Sequence, residues 1–419
     1  MNPEIKIEQL GSAGDGVGEL DGVPCFVPYS AAGDVLRVNK VDNRGAGILA
    51  EIEEIITPSP DRQEIKCRHF GTCGGCSLQH LNDDFVADWK ANLIRQALAQ
   101  KDITDVVINP TVMSPEFSRR RVEFVAKKRK KGVMIGYHRP RSHQIFDVGE
   151  CPLLQPELLA LVKPLRAILP DLMPRNSEAR LTLTATKNGV DLLVSIAAAI
   201  DLDGREQLAT FAQTHKLCRI SWYDETEKLM DQVASIKPAA ITVGKTDTLL
   251  PAGGFLQATL HGQETLVQLM LEHLPAKSRV VDLFAGCGTF TLPAAPFAKE
   301  VHAVEGSHTH TENMQLAANQ QMLAVSTEAR DLFRRPLLAE EFKGFDVVII
   351  DPPRAGAKAQ VQEIGLSNIK TVIFISCSPK SFARDAEVLL DYGFKMSPIT
   401  PVDQFRWSTH IELFTTFTR

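Results

Sequence analysis

The chain has no apolar run approaching the roughly 20 residues that cross a bilayer as a helix. Its Met1-Asn-Pro-Glu start also lacks the basic and apolar regions of an export signal. Both absences predict a soluble, unexported, cytoplasmic protein with no membrane partner. A cationic excess is missing too: the formal net charge is −5, which argues against a generic polyanion binder, because phosphate contact relies on Lys and Arg. Cysteine is sparse, with eight in 419 residues. Three of the eight crowd into Cys67–Cys76, which suits a reducing compartment and a metal centre better than a disulfide framework. What is plentiful is apolar content, 44%, enough for two or three packed domains and contrary to a disordered or fibrous chain. A monomer is the default.

The average charge hides an uneven distribution. Residues 1–60 hold ten acidic and four basic side chains, whereas 116–146 hold ten basic and two acidic. A local basic patch on a mildly acidic protein follows. Over 1–60, short apolar alternations cut by glycines, Gly45 among them, predict a small β-barrel. The run Gly14-Asp-Gly-Val-Gly-Glu-Leu-Asp-Gly-Val-Pro-Cys-Phe-Val-Pro28, followed by Gly33-Asp-Val-Leu-Arg-Val38, resembles the TRAM domain, an OB-like RNA-binding module. Its acidity departs from that pattern. Thr57-Pro-Ser-Pro-Asp61 reads as a linker.

Cys67, Cys73 and Cys76 have C-x5-C-x2-C spacing, and Gly74 and Gly75 allow a tight fold between the last two. Cys151, followed by Pro152, is the candidate fourth ligand, since a Cys-Pro pair recurs in cluster sites and Cys25 and Cys218 lack such a setting. Four thiolates can hold zinc or an iron–sulfur cluster. Because the fourth ligand stands alone rather than in a second Cys pair, a [4Fe–4S] cluster is favoured, tying residue 67 to residue 151.

Apolar residues at helical spacing predict an amphipathic helix over Asp84–Ala99. Ser118–Gly132 carries Arg119, Arg120, Arg121, Lys127, Lys128, Arg129, Lys130 and Lys131 around alternating Val122, Phe124 and Ala126, then turns at Gly132 into Val133–Tyr137. This predicts a hairpin with basic flanks and tip. Most charge runs are solvated surface, but beside an RNA-like module phosphate contact is the expectation. Residues 156–250 show strand-like and helical stretches and no chemistry, so a central α+β domain over 61–250 is expected.

The last domain, 251–419, opens with Gly253-Gly-Phe-Leu-Gln257 and a helix from Leu260 to Leu274. Arg279-Val-Val-Asp-Leu-Phe-Ala-Gly-Cys-Gly-Thr-Phe-Thr-Leu292 reads as strand, glycine turn and helix, with Gly286 and Gly288 admitting a ligand to the backbone. A second strand ends in Glu305, 19 residues after Gly286, where a carboxylate can accept ribose hydroxyls. The third glycine of G-x-G-x-x-G is absent, since position 291 is threonine. That disfavours a dinucleotide and leaves S-adenosylmethionine, which has no pyrophosphate. Asp331 stands where an adenine amino group could be met, and Phe345–Asp351 is another strand with an acidic end. Together these predict an α/β Rossmann-like methyltransferase domain following the barrel and the central domain.

Val372-Ile-Phe-Ile-Ser-Cys-Ser-Pro379 is a short buried strand broken by proline, which sets Cys377 just past the carboxyl edge where open α/β sheets bind ligands. A lone cysteine is more commonly a small buried hydrophobe. Here it has company at other strand ends: Asp351-Pro-Pro-Arg-Ala-Gly356 and His410-Ile-Glu412.

With Ala383-Arg-Asp385, the cysteine set and the Gly253–Gln257 motif, these residues resemble the bacterial RNA (uracil-5-)-methyltransferases. The 23S ribosomal RNA branch with a TRAM domain and an iron–sulfur cluster is the best match. The resemblance implies Cys377 as nucleophile and Glu412 as general base. It also implies S-adenosylmethionine contacts at Gln257, Phe284, Gly286, Gly288, Thr289, Glu305, Asp331 and Asp351, with Asp351 meeting the cofactor or the base. Cys67, Cys73, Cys76 and Cys151 become cluster ligands, and the substrate RNA, ribosomal ahead of transfer RNA. The chain has Ser378 and Thr289 where the family usually has asparagine, and Phe405-Arg-Trp-Ser-Thr-His410 replaces a Phe-Pro-His-Thr run. A cytosine-5 RNA methyltransferase would carry a second cysteine after the Asp-Pro motif, which Asp351-Pro-Pro-Arg354 lacks. An amino-group methyltransferase would place an aromatic there and need no thiol. A non-catalytic iron–sulfur RNA-binding protein would have no use for Cys377 and Glu412.

Overall fold

Alternating burial along Glu4–Leu10 (β1), Gly16–Leu20 (β2), Val23–Val27 (β3), Val35–Arg44 (β4) and Gly47–Thr57 (β5) closes a five-stranded barrel in the order β1-β2-β3-β5-β4. Its interior is Ile5, Ile7, Leu20, Cys25, Val27, Leu36, Val38, Ile48 and Ala50. Full burial of one such aliphatic is worth about 1.5–3 kcal/mol. The computed structural model describes residues 2–44 and 47–419, so the Gly45 turn signal lies outside the described residues. The following linker is fastened rather than loose. Buried Asp34 accepts from Ser59 N (2.8 Å) and from Arg62 Nε (2.9 Å).

Asn82 caps the helix Asp83–Ala99 (α1) by accepting from Phe85 N, and Asp83 and Asp84 complement the positive end of its dipole. Although α1 lies within 61–250, its Ile94, Ala97 and Leu98 pack into the core of the last sheet with Val372, Phe382 and Leu389. The short strand Val112–Met113 (β6) pairs in parallel with the strand Thr400–Asp403 of that same sheet. Val86 and Trp89 of α1 pack instead with Leu10 and Ala31, so α1 bridges the barrel and the C-terminal sheet rather than the central one.

The central sheet uses Arg121–Arg129 (β7), Gly132–His138 (β8), Ile145–Asp147 (β9), Glu178–Thr186 (β10), Gly189–Ile196 (β11), Leu217–Asp224 (β12) and Leu229–Ser235 (β13), in the order β13-β12-β11-β10-β7-β8-β9. The basic hairpin is β7–β8. Helices Pro156–Ala160 (α2), Val162–Leu172 (α3) and Leu202–Thr214 (α4) supply Leu158, Leu165, Leu169, Leu208 and Phe211 to the core on this sheet. A two-stranded hairpin, Ala240–Val243 (β14) with Thr246–Leu249 (β15), follows and packs Ile241 and Val243 against Ala285 and Met314.

The last unit runs Leu260–His273 (α5), Arg279–Leu283 (β16), Thr291–Ala294 (α6), Glu300–Glu305 (β17), His308–Gln320 (α7), Val325–Ala329 (β18), Val347–Ile350 (β19), Lys358–Leu366 (α8), Thr371–Ser376 (β20), Pro379–Asp391 (α9), Lys395–Met396 (β21), Thr400–Asp403 (β22) and Glu412–Thr418 (β23). Strand order is β18-β17-β16-β19-β20-β23-β22-β6, with β21 also on β23. Strands β16 to β20 are parallel and β23 is antiparallel to β20. Order reverses at β16, so the crevice beyond its carboxyl end is where such a sheet binds ligands. None of the described helices is long and apolar enough to cross a membrane.

Candidate active site

The turn after β16 occupies that crevice. Phe284, Gly286 and Gly288 all have positive φ, 60°, 54° and 85°; for phenylalanine this is a costly conformation that the surrounding fold must enforce. A Cβ on Gly286 would meet no atom within 4 Å, so the turn faces open space. One on Gly288 would lie 3.0 Å from Leu292 and Met314, so that glycine serves helix packing instead. Thr289 is buried, its hydroxyl 3.6 Å from Cys287 Sγ.

Glu305 ends β17 and spans the turn: Oε2 accepts from Gly286 N (3.0 Å) and Oε1 from Ser307 N (2.9 Å). Each oxygen keeps a second lone pair for a ligand hydroxyl. Asp331 is half-exposed and caps its own turn by accepting from Phe333 N (3.0 Å). Phe333 stacks obliquely on Phe284 with centroids 5.5 Å apart. Phe333 escaped the sequence reading, since an isolated aromatic after a strand carries no periodic signal.

Next along the edge, Asp351 follows β19, and its Oδ2 accepts from Gln257 Nε2 (3.2 Å). Burial pushes its carboxyl up to about 7. The β20–β23 register pairs Ser376 with Leu413. One step outward, Cys377 and Glu412 therefore stand opposite each other at the strand ends. Burial first, and then the neighbouring carboxyl of Asp351, raises Glu412 well above the carboxylate range; Gln404 and Arg354 act the other way. Glu412 Oε2 is buried with no hydrogen-bond partner. Burial pushes the Cys377 thiol up to about 12, with Glu412 and Asp351 adding to it and Arg354 opposing. A thiol and a carboxyl, both raised by burial, thus stand opposite each other.

The basic stretch divides differently from its expected role in phosphate contact. Arg120 is buried, donating from Nε to Gln257 O (3.0 Å) and from Nη2 to Gln263 Oε1 (2.6 Å). It braces the Gln257 segment. Arg121 donates to Gly253 O (3.3 Å), Lys128 to Pro170 O and Met173 O, and Arg141 pairs with Asp15. Arg129, Lys130, Lys131 and Arg139 are left on the exposed surface of the hairpin and its neighbour.

Cys67, Cys73, Cys76 and Cys151 line one cavity of about 450 Å³, which also reaches Arg119, Arg121, Arg354 and His410. Gly74 is required there, because a Cβ would sit 2.4 Å from His138 O. Burial and then the other three cysteines push Cys76 up to about 12. Among the described residues, no three His, Cys, Asp or Glu side chains are arranged around a single metal ion.

Residues 252–419 match the family described as tRNA (Uracil-5-)-methyltransferase. An uncharacterized RNA methyltransferase of Brucella melitensis is 37% identical over 418 residues, 99% of this chain and 98% of that protein. The chain belongs to the RNA (uracil-5-)-methyltransferase family. Another member, the 23S rRNA (uracil(1939)-C(5))-methyltransferase of Shewanella woodyi, is 28% identical over 99% of this chain and 95% of its own length. The fold of this RNA uracil-5-methyltransferase matches the Pyrococcus abyssi tRNA (uracil-54, C5)-methyltransferase, solved with S-adenosyl-L-homocysteine. The TM-score is 0.77 at 22% identity, covering 99% of this chain and all of that one.

Proposed function

We propose that the protein methylates C5 of a uridine in 23S ribosomal RNA, with Cys377 as nucleophile and Glu412 as the base that removes the C5 proton. The observation that carries this reading is the register that sets Cys377 against Glu412, with Asp351 and the glycine turn on the same sheet edge.

C5 of uracil is too weak a nucleophile to take a methyl group unaided. Cys377 Sγ adds to C6, its proton passing to Asp351, which leaves the Glu412 carboxylate free as base, and the C5=C6 electrons move onto C5 and O4. Bound S-adenosylmethionine would supply the electrophilic methyl group to C5 and leave as S-adenosylhomocysteine. Glu412 then removes the C5 proton, the double bond re-forms and the thiolate leaves. Gln257, Phe284, Gly286, Gly288, Thr289, Glu305, Asp331 and Asp351 would hold the cofactor. The open face at Gly286, the Glu305 carboxylate and the Phe284–Phe333 pair suit a turn-bound nucleoside. Asp351 would meet the cofactor or the flipped base. The target must leave its stack to reach this edge, so an RNA loop or opened segment is the substrate.

Cys67, Cys73, Cys76 and Cys151 would hold a [4Fe–4S] cluster. The four thiols lining one cavity support this reading. Ser77 N and Leu78 N, immediately after Cys76, donate to Trp407 O (2.9 and 3.1 Å), so the cysteine turn braces the chain leading to Glu412. The barrel and the exposed hairpin cations would contact RNA, and the enzyme would act as a cytoplasmic monomer. Transfer RNA is the second reading, supported by the shared fold of the Pyrococcus abyssi enzyme.

The test is mass spectrometry after incubation with S-adenosylmethionine and 5-fluorouridine-substituted ribosomal RNA. Fluorine cannot leave as a proton does, so a methylated adduct on Cys377 should accumulate. An adduct with transfer RNA alone would change the substrate and keep the chemistry; none with either would overturn the reading.

A further inference from the structure

Arg354 stands at the corner of a tight turn just past β19. Gly356 N donates to Pro353 O (2.8 Å), which closes the turn with Arg354 and Ala355 at its two exposed corners. Among the described residues the Arg354 guanidinium has no ion pair and no hydrogen bond. It lines the cavity that also takes in Arg119, Phe405 and His410, on the approach to Glu412. Gly286, Glu305 and Asp331 are not among the walls of that cavity, so its ligand is the RNA rather than the cofactor.

The turn does not hang free. Helix α9 starts directly after Cys377, where Ser378 caps it by accepting from Ser381 N (3.4 Å). One turn further on, Asp385 has no exposure, and its Oδ2 accepts from Ala357 N (2.7 Å). Asp385 Oδ1 accepts from Arg384 Nε (2.9 Å) and Nη2 (2.7 Å), and the same Nη2 donates to Ala355 O (3.0 Å). The two side chains thus grip the backbone on both sides of Gly356. That glycine has a φ of 73°, and a Cβ there would lie 2.4 Å from Arg384 Nη2, 2.5 Å from Asp385 Oδ2 and 2.9 Å from Ser381 Cβ. Only glycine lets the turn reach the clamp. The cation beyond β19 and the thiol beyond β20 are therefore mounted on one body, the first two turns of α9.

Resting on the reading that RNA is methylated at this edge, we propose that the Arg384–Asp385 pair is a positioning clamp that presents Arg354, beside Arg119, to a phosphodiester of the entering RNA strand. An unpartnered guanidinium suits that group, because its planar fork matches two phosphate oxygens. Holding the turn in advance spares the ordering cost when RNA arrives. Arg384 and Asp385 act through Arg354.

The test measures RNA binding by the full-length enzyme over a salt series, with 23S ribosomal or transfer RNA according to which forms the 5-fluorouridine adduct with the wild type. Arg354→Met should weaken binding about tenfold, the order of one charge-assisted hydrogen bond, and flatten the log–log salt slope by roughly 0.7, one phosphate contact. Asp385→Ala should do the same although it removes a negative charge, a change that by charge alone would tighten binding to a polyanion. Asp385→Asn keeps an acceptor for Ala357 N and should stay within about threefold of the wild type. The double variant, Arg354→Met with Asp385→Ala, should bind no more weakly than the worse single one, and S-adenosylmethionine affinity should stay within about twofold throughout. Should Asp385→Ala not fold, Gly356→Ala opens the clamp from the other side without altering any charge and carries the same expectations. Unchanged or tighter RNA binding by the clamp variants, or additive losses, overturns the clamp alone. A wild-type enzyme that gives no adduct with ribosomal or transfer RNA overturns the catalytic reading beneath it.

Discussion

Lys90 and Asp403 form an ion pair in which both side chains have zero exposure, Nζ to Oδ2 at 2.5 Å across 313 positions of sequence. Lys90 also donates to Phe405 O (3.3 Å), and Asp403 Oδ1 accepts from Phe405 N (2.9 Å). The pair pins the chain that leads through Gln404 to Glu412 onto α1, a helix that precedes the central sheet. Arg406 adds a second tie by donating to Asp83 Oδ2 and to Ser114 O.

Removing one partner leaves the other charge buried and unpaired. Lys90→Met should therefore cost about 3–5 kcal/mol. Lys90→Met with Asp403→Leu should recover part of that loss, because no orphan charge remains. Thermal melting of the two variants checks this; a double variant no more stable than the single would mean that packing, not charge, dominates the site.

Cys377→Ala should abolish methylation while S-adenosylmethionine still binds, since the glycine turn and Glu305 are untouched. Calorimetric titration beside a turnover assay separates the two. Substantial residual methylation would remove Cys377 from its role as nucleophile.

Glu412→Gln keeps the volume and loses the base. Addition and methyl transfer should proceed and elimination should stall, so a covalent protein–RNA band should accumulate on a denaturing gel with natural RNA. An inactive variant without that band would assign proton removal to another group.

Arg354 opposes the burial that pushes Cys377 up to about 12. In Arg354→Met the thiol should rise further, so at any given pH the thiolate fraction falls. Because thiolate forms as pH increases, adduct formation with 5-fluorouridine RNA should rise with pH in both proteins, its curve displaced to higher pH in the variant. Rate measurements from about pH 6 to 9, where the thiolate fraction of so raised a thiol still climbs with pH, test the displacement. Coincident curves would show that Arg354 does not reach the thiol.

Anaerobic purification should yield a brown protein with about four irons, the complement of a [4Fe–4S] group. Cys73→Ser should lose the iron. A colourless protein containing one zinc would replace the cluster with a structural ion.

Much of the sheet edge was legible because its signals are local. A β-branched run that stops at proline, a glycine turn after Arg279–Leu283 and an acid closing Glu300–Glu305 each record a strand end and the group it carries. The hairpin around Gly132 and the helix from Asp83 were legible for the same reason. Other features were hidden because their partners lie far along the chain. Gln404 has no distinguishing neighbour in sequence, and its meaning comes from Gln257, 147 positions away. Arg120 sat in a basic run that reads as solvated, yet burial beside Gln257 O and Gln263 makes it a brace.

The order of apolar, glycine and acidic residues thus determined by itself which side chains end which strands, since backbone sterics and side-chain periodicity act over a few residues. Only the tertiary structure decided that Cys377 stands opposite Glu412, that α1 packs on the last sheet and that Gln404 hydrogen-bonds Gln257. Those relations depend on antiparallel register, on which apolar face finds a partner, and on where a buried polar group finds its hydrogen bonds.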